Sequence, residues 1–86
     1  MRKVLFDIEA FEEYNDWANK NIRLFNRIAK LIDECRRTPF SGTGKPEPLK
    51  HEFKGCWSRR INDEHRLIYD VTDEAIYIIS CKGHYK

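Results

Sequence analysis

Long apolar runs are missing from this 86-residue chain. None approaches the roughly 20 apolar residues that a bilayer-spanning helix needs, so no membrane anchor is expected. Cysteine is sparse. Cys35, Cys56 and Cys81 are odd in number, far apart and never in CxxC spacing. That excludes a disulfide framework and a cysteine zinc site, and it suits a reducing cytoplasm. The opening Met1-Arg2-Lys3-Val4-Leu5-Phe6 is basic and then apolar, but Asp7 and Glu9 cut it short, so a secretory signal is not expected. There is no repeat, no linker, no low-complexity segment and no clustered Asp/Glu/His metal set. The length fits one domain, 1–86, with a thin core.

An excess of one charge is lacking too. The net charge is only +2, although 35% of residues are charged. Its distribution is more telling. Between Arg36 and Arg66 eight lysines and arginines stand against four acids, and His51 and His65 fall there as well. Such a local excess suits an anionic partner such as a nucleic-acid backbone, or is a scattered solvated surface.

Periodicity organises the rest. Lys3–Phe6 reads as a strand. Asp7 is placed to cap a helix from about Ile8 to Asn19, with Phe11, Tyr14 and Ala18 as its apolar stripe. A second helix spans about Asn21 to Arg37. Leu24, Ile28, Leu31 and Cys35 form one buried row, and Phe25, Ala29 and Ile32 the next. Arg23, Arg27, Lys30, Glu34 and Arg37 fall on the opposite, solvated face, with Lys30 and Glu34 as an i,i+4 pair. Pro39 ends the helix. The loop to Pro48 is rich in glycine and proline, and its Gly42-Thr43-Gly44-Lys45 falls short of a P-loop. Strands follow at Leu49–Phe53, Cys56–Ile61, His65–Val71 and Ala75–Cys81. The expected class is α+β: two N-terminal helices packed on one face of a mainly antiparallel five-stranded sheet. The large aromatics Phe6, Phe11, Trp17, Phe25 and Trp57 are expected to supply much of the core.

The hairpin carries the chemistry. If Asn62-Asp63-Glu64 is its loop, Ile61 faces His65, Trp57 faces Tyr69, and Arg60 faces Arg66. Like charges directly opposite are destabilising, so these arginines need an anion between them. Glu47 or Asp70 is one source, and a phosphate held by the guanidinium forks is the other. Glu47 is clamped between Pro46 and Pro48, which forbid a helix there. So stiff a carboxylate, near Lys50, Arg59, Arg60 and Arg66, serves as a salt-bridge partner or as a positioned general base. The terminal His84-Tyr85 adds a titratable imidazole beside a phenol, a candidate general acid. These parts compose a metal-free site for phosphoryl transfer in RNA. A base takes the proton from a ribose 2′-OH, the oxygen attacks the adjacent phosphate, cations stabilise the phosphorane, and an acid protonates the departing 5′-oxygen.

Arg36-Arg37-Thr38-Pro39-Phe40, Gly42, Gly44-Lys45-Pro46-Glu47-Pro48-Leu49-Lys50, Trp57-Ser58-Arg59-Arg60-Ile61, Glu64-His65-Arg66-Leu67 and the terminal His84-Tyr85 together resemble the YoeB toxins, within the RelE-like group of bacterial toxin–antitoxin systems. The resemblance covers essentially the whole chain. It implies a small RNase fold and an mRNA endonuclease working in the A site of the 70S ribosome. It also implies a YefM-like antitoxin that covers the site, a homodimer, and no cofactor. Carried over by motif, Glu47 is the general base, His84 the general acid and Arg66 the transition-state stabiliser. Tyr85 shapes the site. Lys50 and Arg60 contact RNA or phosphate, with Arg59 beside them in the same role. Gly83 departs from the pattern, which often has a bulky residue there, and Lys86 is an addition. A non-catalytic RNA- or ribosome-binding module is the alternative, and a purely protein-binding module would leave the facing arginines unexplained.

Overall fold

A computed structural model describes residues 1–83 of the chain. Strand β1 (Lys3–Phe6) leads into α1 (Ile8–Lys20) and α2 (Ile22–Arg37), followed by β2 (Glu47–Pro48), β3 (Trp57–Arg60), β4 (Arg66–Val71) and β5 (Ala75–Ser80). Asn21 separates the helices. It has extended backbone, and its side chain accepts from Leu24 N–H to cap α2. Asp7 holds the equivalent place before α1, but its side chain makes no cap hydrogen bond.

The five strands form one sheet in the order β1-β5-β4-β3-β2. All neighbours are antiparallel except β1, which runs parallel to β5 with Lys3 opposite Ala75 and Phe6 opposite Ile78. The helices must cross over to allow that pairing, so both lie on one face. The core there is mostly aliphatic. Ile28, Leu31, Ile32 and Cys35 of α2 meet Leu67, Tyr69, Ile76 and Ile78 of the sheet, with Ala10 of α1 closing the end.

Several expectations need correction. The buried edge of α1 is Ala10, Tyr14 and Trp17 rather than Phe11, Tyr14 and Ala18; Phe11 is 47% exposed and Ala18 is exposed. Leu49–Phe53 is not a strand. The pairing stops after Pro48, a proline on a sheet edge, where its missing N–H costs nothing. His51–Phe53 then makes one 3₁₀ turn, entered through His51 at φ +58°, which breaks any extended run. The polar face of α2 is not merely solvated. Arg27 donates to the Ile61 and Arg60 carbonyls, and Glu34 pairs with Arg59 instead of Lys30.

Arg59 is the deepest charge among the described residues, with no exposed surface. Its guanidinium donates to Glu34 Oε2 at 2.9 Å, to the carbonyls of Thr38, Ser41 and Thr43, and to the Tyr69 hydroxyl at 3.1 Å. The Tyr69 hydroxyl in turn donates to Pro39 O at 2.7 Å. One cation therefore ties α2, the loop after it and β4 together. Burying a charge is tolerated only when it is paired and its donors are used, and here every nitrogen has an acceptor. The loop then returns to β3 through Gly44, whose carbonyl accepts from Arg60 N–H. Gly44 has φ +86°, and a Cβ there would meet Arg60 O at 3.0 Å. Only glycine suits that approach.

Arg59→Ala should destabilise the fold by about 3 kcal/mol, because it removes the cation paired with Glu34 and the donor shared by three loop carbonyls. Arg60→Ala, one residue away but exposed, should change stability by no more than about 0.5 kcal/mol. Urea unfolding of both variants checks this, and equal losses would refute the distinction.

Candidate functional site

Strand alternation sorts the basic residues by face. Arg59 and its partner Leu67 point to the helices. Ser58 and Arg60 therefore point the other way, as does Glu47, which pairs with Ser58. Arg66 sits directly opposite Arg60 in the β3–β4 register, and Trp57 opposite Tyr69, as the sequence pattern required. Glu47, Arg60 and Arg66 thus share the helix-free face, on three adjacent strands. Directly opposed side chains have Cβ atoms about 5 Å apart, so the two guanidiniums reach a common anion easily.

No neighbouring acid among the described residues supplies that anion. Among the described residues the ion pairs are Lys20–Asp16, Arg36–Asp33, Arg37–Asp33 and Arg59–Glu34. Neither Glu47 nor Asp70 pairs with Arg60 or Arg66. Asp70 instead accepts from Val71 N–H at 2.8 Å. Arg66 curls back over the hairpin turn, where Nη1 donates to Asn62 O at 2.6 Å and His65 O at 3.1 Å. Among the described residues its other two nitrogens donate to nothing. The turn itself is locked by Asn62 Oδ1, which accepts from Glu64 and His65 N–H. Arg66 is thus braced by one arm against the hairpin turn.

Lys50 is exposed and precedes the 3₁₀ turn, on a loop fastened where Leu49 N–H donates to Cys56 O at 2.9 Å. Arg59, expected as a phosphate contact, is withdrawn from that role, because it is buried on the helix side with its donors consumed. His84 and Tyr85 lie outside the described residues; Gly83, just before His84, has its N–H bonded to His65 Nδ1 and its carbonyl to Arg66 N–H, both at 2.9 Å. Gly83 has φ +92° with open space around a would-be Cβ, so backbone conformation rather than crowding favours glycine there.

Sequence reasoning missed Glu13, took Trp17 only for core and His65 only for a hairpin residue; all three are engaged around the end of β5. A polar residue within the apolar register of α1 was the only available sign. No group of three or more His, Cys, Asp or Glu able to hold a metal ion occurs among the described residues. No helix there is long and apolar enough to cross a membrane.

The exposed Glu47 and Arg60 and the half-buried Arg66 thus stand together on the open face of a two-helix, five-stranded scaffold. Residues 6–85 match the family model of the YoeB-like toxin of bacterial type II toxin–antitoxin systems, and the chain belongs to that family. It is 48% identical over 83 residues to toxin YoeB of Escherichia coli K12, covering 96% of this chain and 99% of that protein. Two solved structures from Staphylococcus aureus are similar throughout. A YoeB–YefM complex has 42% identity and a TM-score of 0.88, covering 99% of each chain. A YoeB dimer has 41% identity and a TM-score of 0.90, covering 98% of each.

The thiols take no part in the candidate site. All three are free. Burial pushes Cys35 up to about 11 and Cys81 up to about 12, and it also raises Cys56, which is only partly buried. Thiolates are the reactive form. At pH 8 a maleimide should therefore label Cys56 first and reach Cys35 and Cys81 only in denaturant; prompt labelling of all three would refute this. Unfolded thiols ionise near their ordinary value of 9.0, whereas the folded ones hold their protons to higher pH. Stability should thus be intact below about pH 9 and fall between about pH 9 and 12. A urea midpoint flat from pH 8 to 11 would contradict it.

Proposed function

We propose that this toxin is an endoribonuclease that cuts mRNA in the A site of the 70S ribosome and so stops translation. One observation carries the reading. Arg60 and Arg66 face each other on the helix-free sheet face, Glu47 shares that face, and no described carboxylate bridges the two arginines. An arrangement that is unfavourable alone becomes favourable when a phosphate enters.

Glu47 takes the proton from the ribose 2′-OH, and that oxygen attacks the adjacent phosphorus. The P–O5′ bond breaks, and His84 protonates the leaving oxygen. The products are a 2′,3′-cyclic phosphate and a 5′-hydroxyl. Arg66 offsets the charge on the phosphorane. Lys50 and Arg60 hold neighbouring phosphates, which fixes register without reading bases. Tyr85 shapes the site around the scissile group. Two proton transfers and cationic stabilisation complete the reaction, so the scheme contains no metal or cofactor step. A YefM-like antitoxin and a second copy of the chain are the proposed protein partners, supported by the S. aureus complex and dimer. A ribosomal site of action implies a cytoplasmic protein.

The test is cleavage of mRNA on purified, programmed ribosomes. Glu47→Ala and His84→Ala should each slow cleavage by about 10²- to 10⁴-fold, and Arg66→Ala by about 10²- to 10³-fold, with all three variants folded. The wild-type rate should pass through a maximum with pH, between the ionisations of base and acid. Ribosome binding with no cleavage by the wild type would transfer the assignment to a non-catalytic binding module.

A further inference from the structure

The end of the last strand is held with unusual completeness. A β-bulge at Ile79 sets Ile68 opposite Ser80 while Tyr69 stays opposite Ile78. Beyond it the Ser80 hydroxyl donates to Glu13 Oε1 at 3.1 Å, and Cys81 N–H donates to the same oxygen at 2.9 Å. Trp17, one turn further along α1, donates from Nε1 to Cys81 O at 2.9 Å. The Trp17 ring meets His65 edge-on, with centroids 4.9 Å apart at 71°. His65 Nδ1 in turn accepts from Gly83 N–H at 2.9 Å, and Arg66 N–H donates to Gly83 O at 2.9 Å.

Chain ends ordinarily fray unless something ties them down. Here two side chains of α1, one imidazole and one strand amide tie down residues 80–83. The imidazole is the element that cannot be swapped freely. To accept an amide proton its Nδ1 must be bare, so the ring is neutral with its proton on Nε2. Trp17 packs against the same ring in a T-shaped contact.

We infer that His65 is a positioning residue, whose Nδ1 fixes Gly83 and thereby the point from which the chain continues to His84. The inference rests on the proposed nuclease reading, in which His84 is the general acid. An acid displaced by about 1 Å can lose about 10²-fold in rate. A device that sets the preceding peptide plane therefore acts on the chemical step more than on ribosome binding. His65 and Arg66 are consecutive, so the turn that braces the Arg66 guanidinium also anchors Gly83.

Two substitutions separate this role from plain packing. His65→Leu keeps the bulk against Trp17 and removes the acceptor. His65→Asn loses bulk but retains an acceptor, since Asn Oδ1 occupies the place of Nδ1. The readouts are hydrogen exchange of the Gly83 amide by NMR and single-turnover mRNA cleavage across ribosome concentrations. In His65→Leu, Gly83 exchange should rise at least about tenfold. Its saturating rate should fall about 10- to 100-fold, with the half-saturating concentration within about threefold of wild type. His65→Asn should recover both readouts to within about fivefold of wild type. A wild-type rate in His65→Leu, or equal slowing in both variants despite a protected Gly83 amide in His65→Asn, would overturn the inference. If the wild type cuts no RNA, the nuclease reading fails. The exchange data then decide the anchor alone: protection in wild type and His65→Asn but not His65→Leu upholds it, and an unprotected wild-type amide refutes it.

Discussion

The rest of the structure depends on the buried guanidinium of Arg59. A thin domain has little apolar area to spare, yet it places a cation at its centre and answers it with Glu34, three loop carbonyls and the Tyr69 hydroxyl. The carbonyls belong to the segment that leaves α2, whose own apolar hold on the sheet is the buried Pro39 and the Phe40 ring 4.9 Å from Trp57. Arg59 adds the polar half of that attachment. The segment's course then fixes Gly44 against Arg60 and delivers Lys45, Pro46 and Glu47 to the sheet edge. A charge on the helix side thus determines where a carboxylate stands on the opposite side.

The two faces of the sheet have divided the work. The helix side buries Ile28, Leu31, Leu67, Ile76 and Ile78 and supplies the stability. The other side carries charge that the fold does not neutralise. Adjacent residues on β3 show the division: Arg59 is sealed and Arg60 is exposed. Leaving two arginines face to face is a local cost of the kind folds concentrate at functional sites.

Much of this was legible from residue order. The hairpin register follows from a three-residue turn and a good Trp57–Tyr69 pair, so the facing arginines are legible in residue order alone. Both helices and β1 followed from periodicity. Other parts were illegible for physical reasons. Arg59 and Arg60 are the same residue type side by side, and only strand alternation relative to the helices decides which is buried. Leu49–Phe53 has strand-like composition, but a positive φ at His51 overrides it. The parallel pairing of β1 with β5 depends on a crossover between chain ends, which no local pattern encodes. Glu13, Trp17 and His65 hide for the same reason, since their partners lie far along the chain at Cys81 and Gly83.

The central claim is that the helix-free face cuts RNA with Glu47 as its base. The most direct measurement is a map of mRNA 5′ ends in cells after brief expression of the wild type, beside Glu47→Ala. Cuts at fixed positions within translated codons, bearing 5′-hydroxyls and absent from the variant, are the predicted result. An unchanged map in the wild type, or the same cuts in Glu47→Ala, would contradict it.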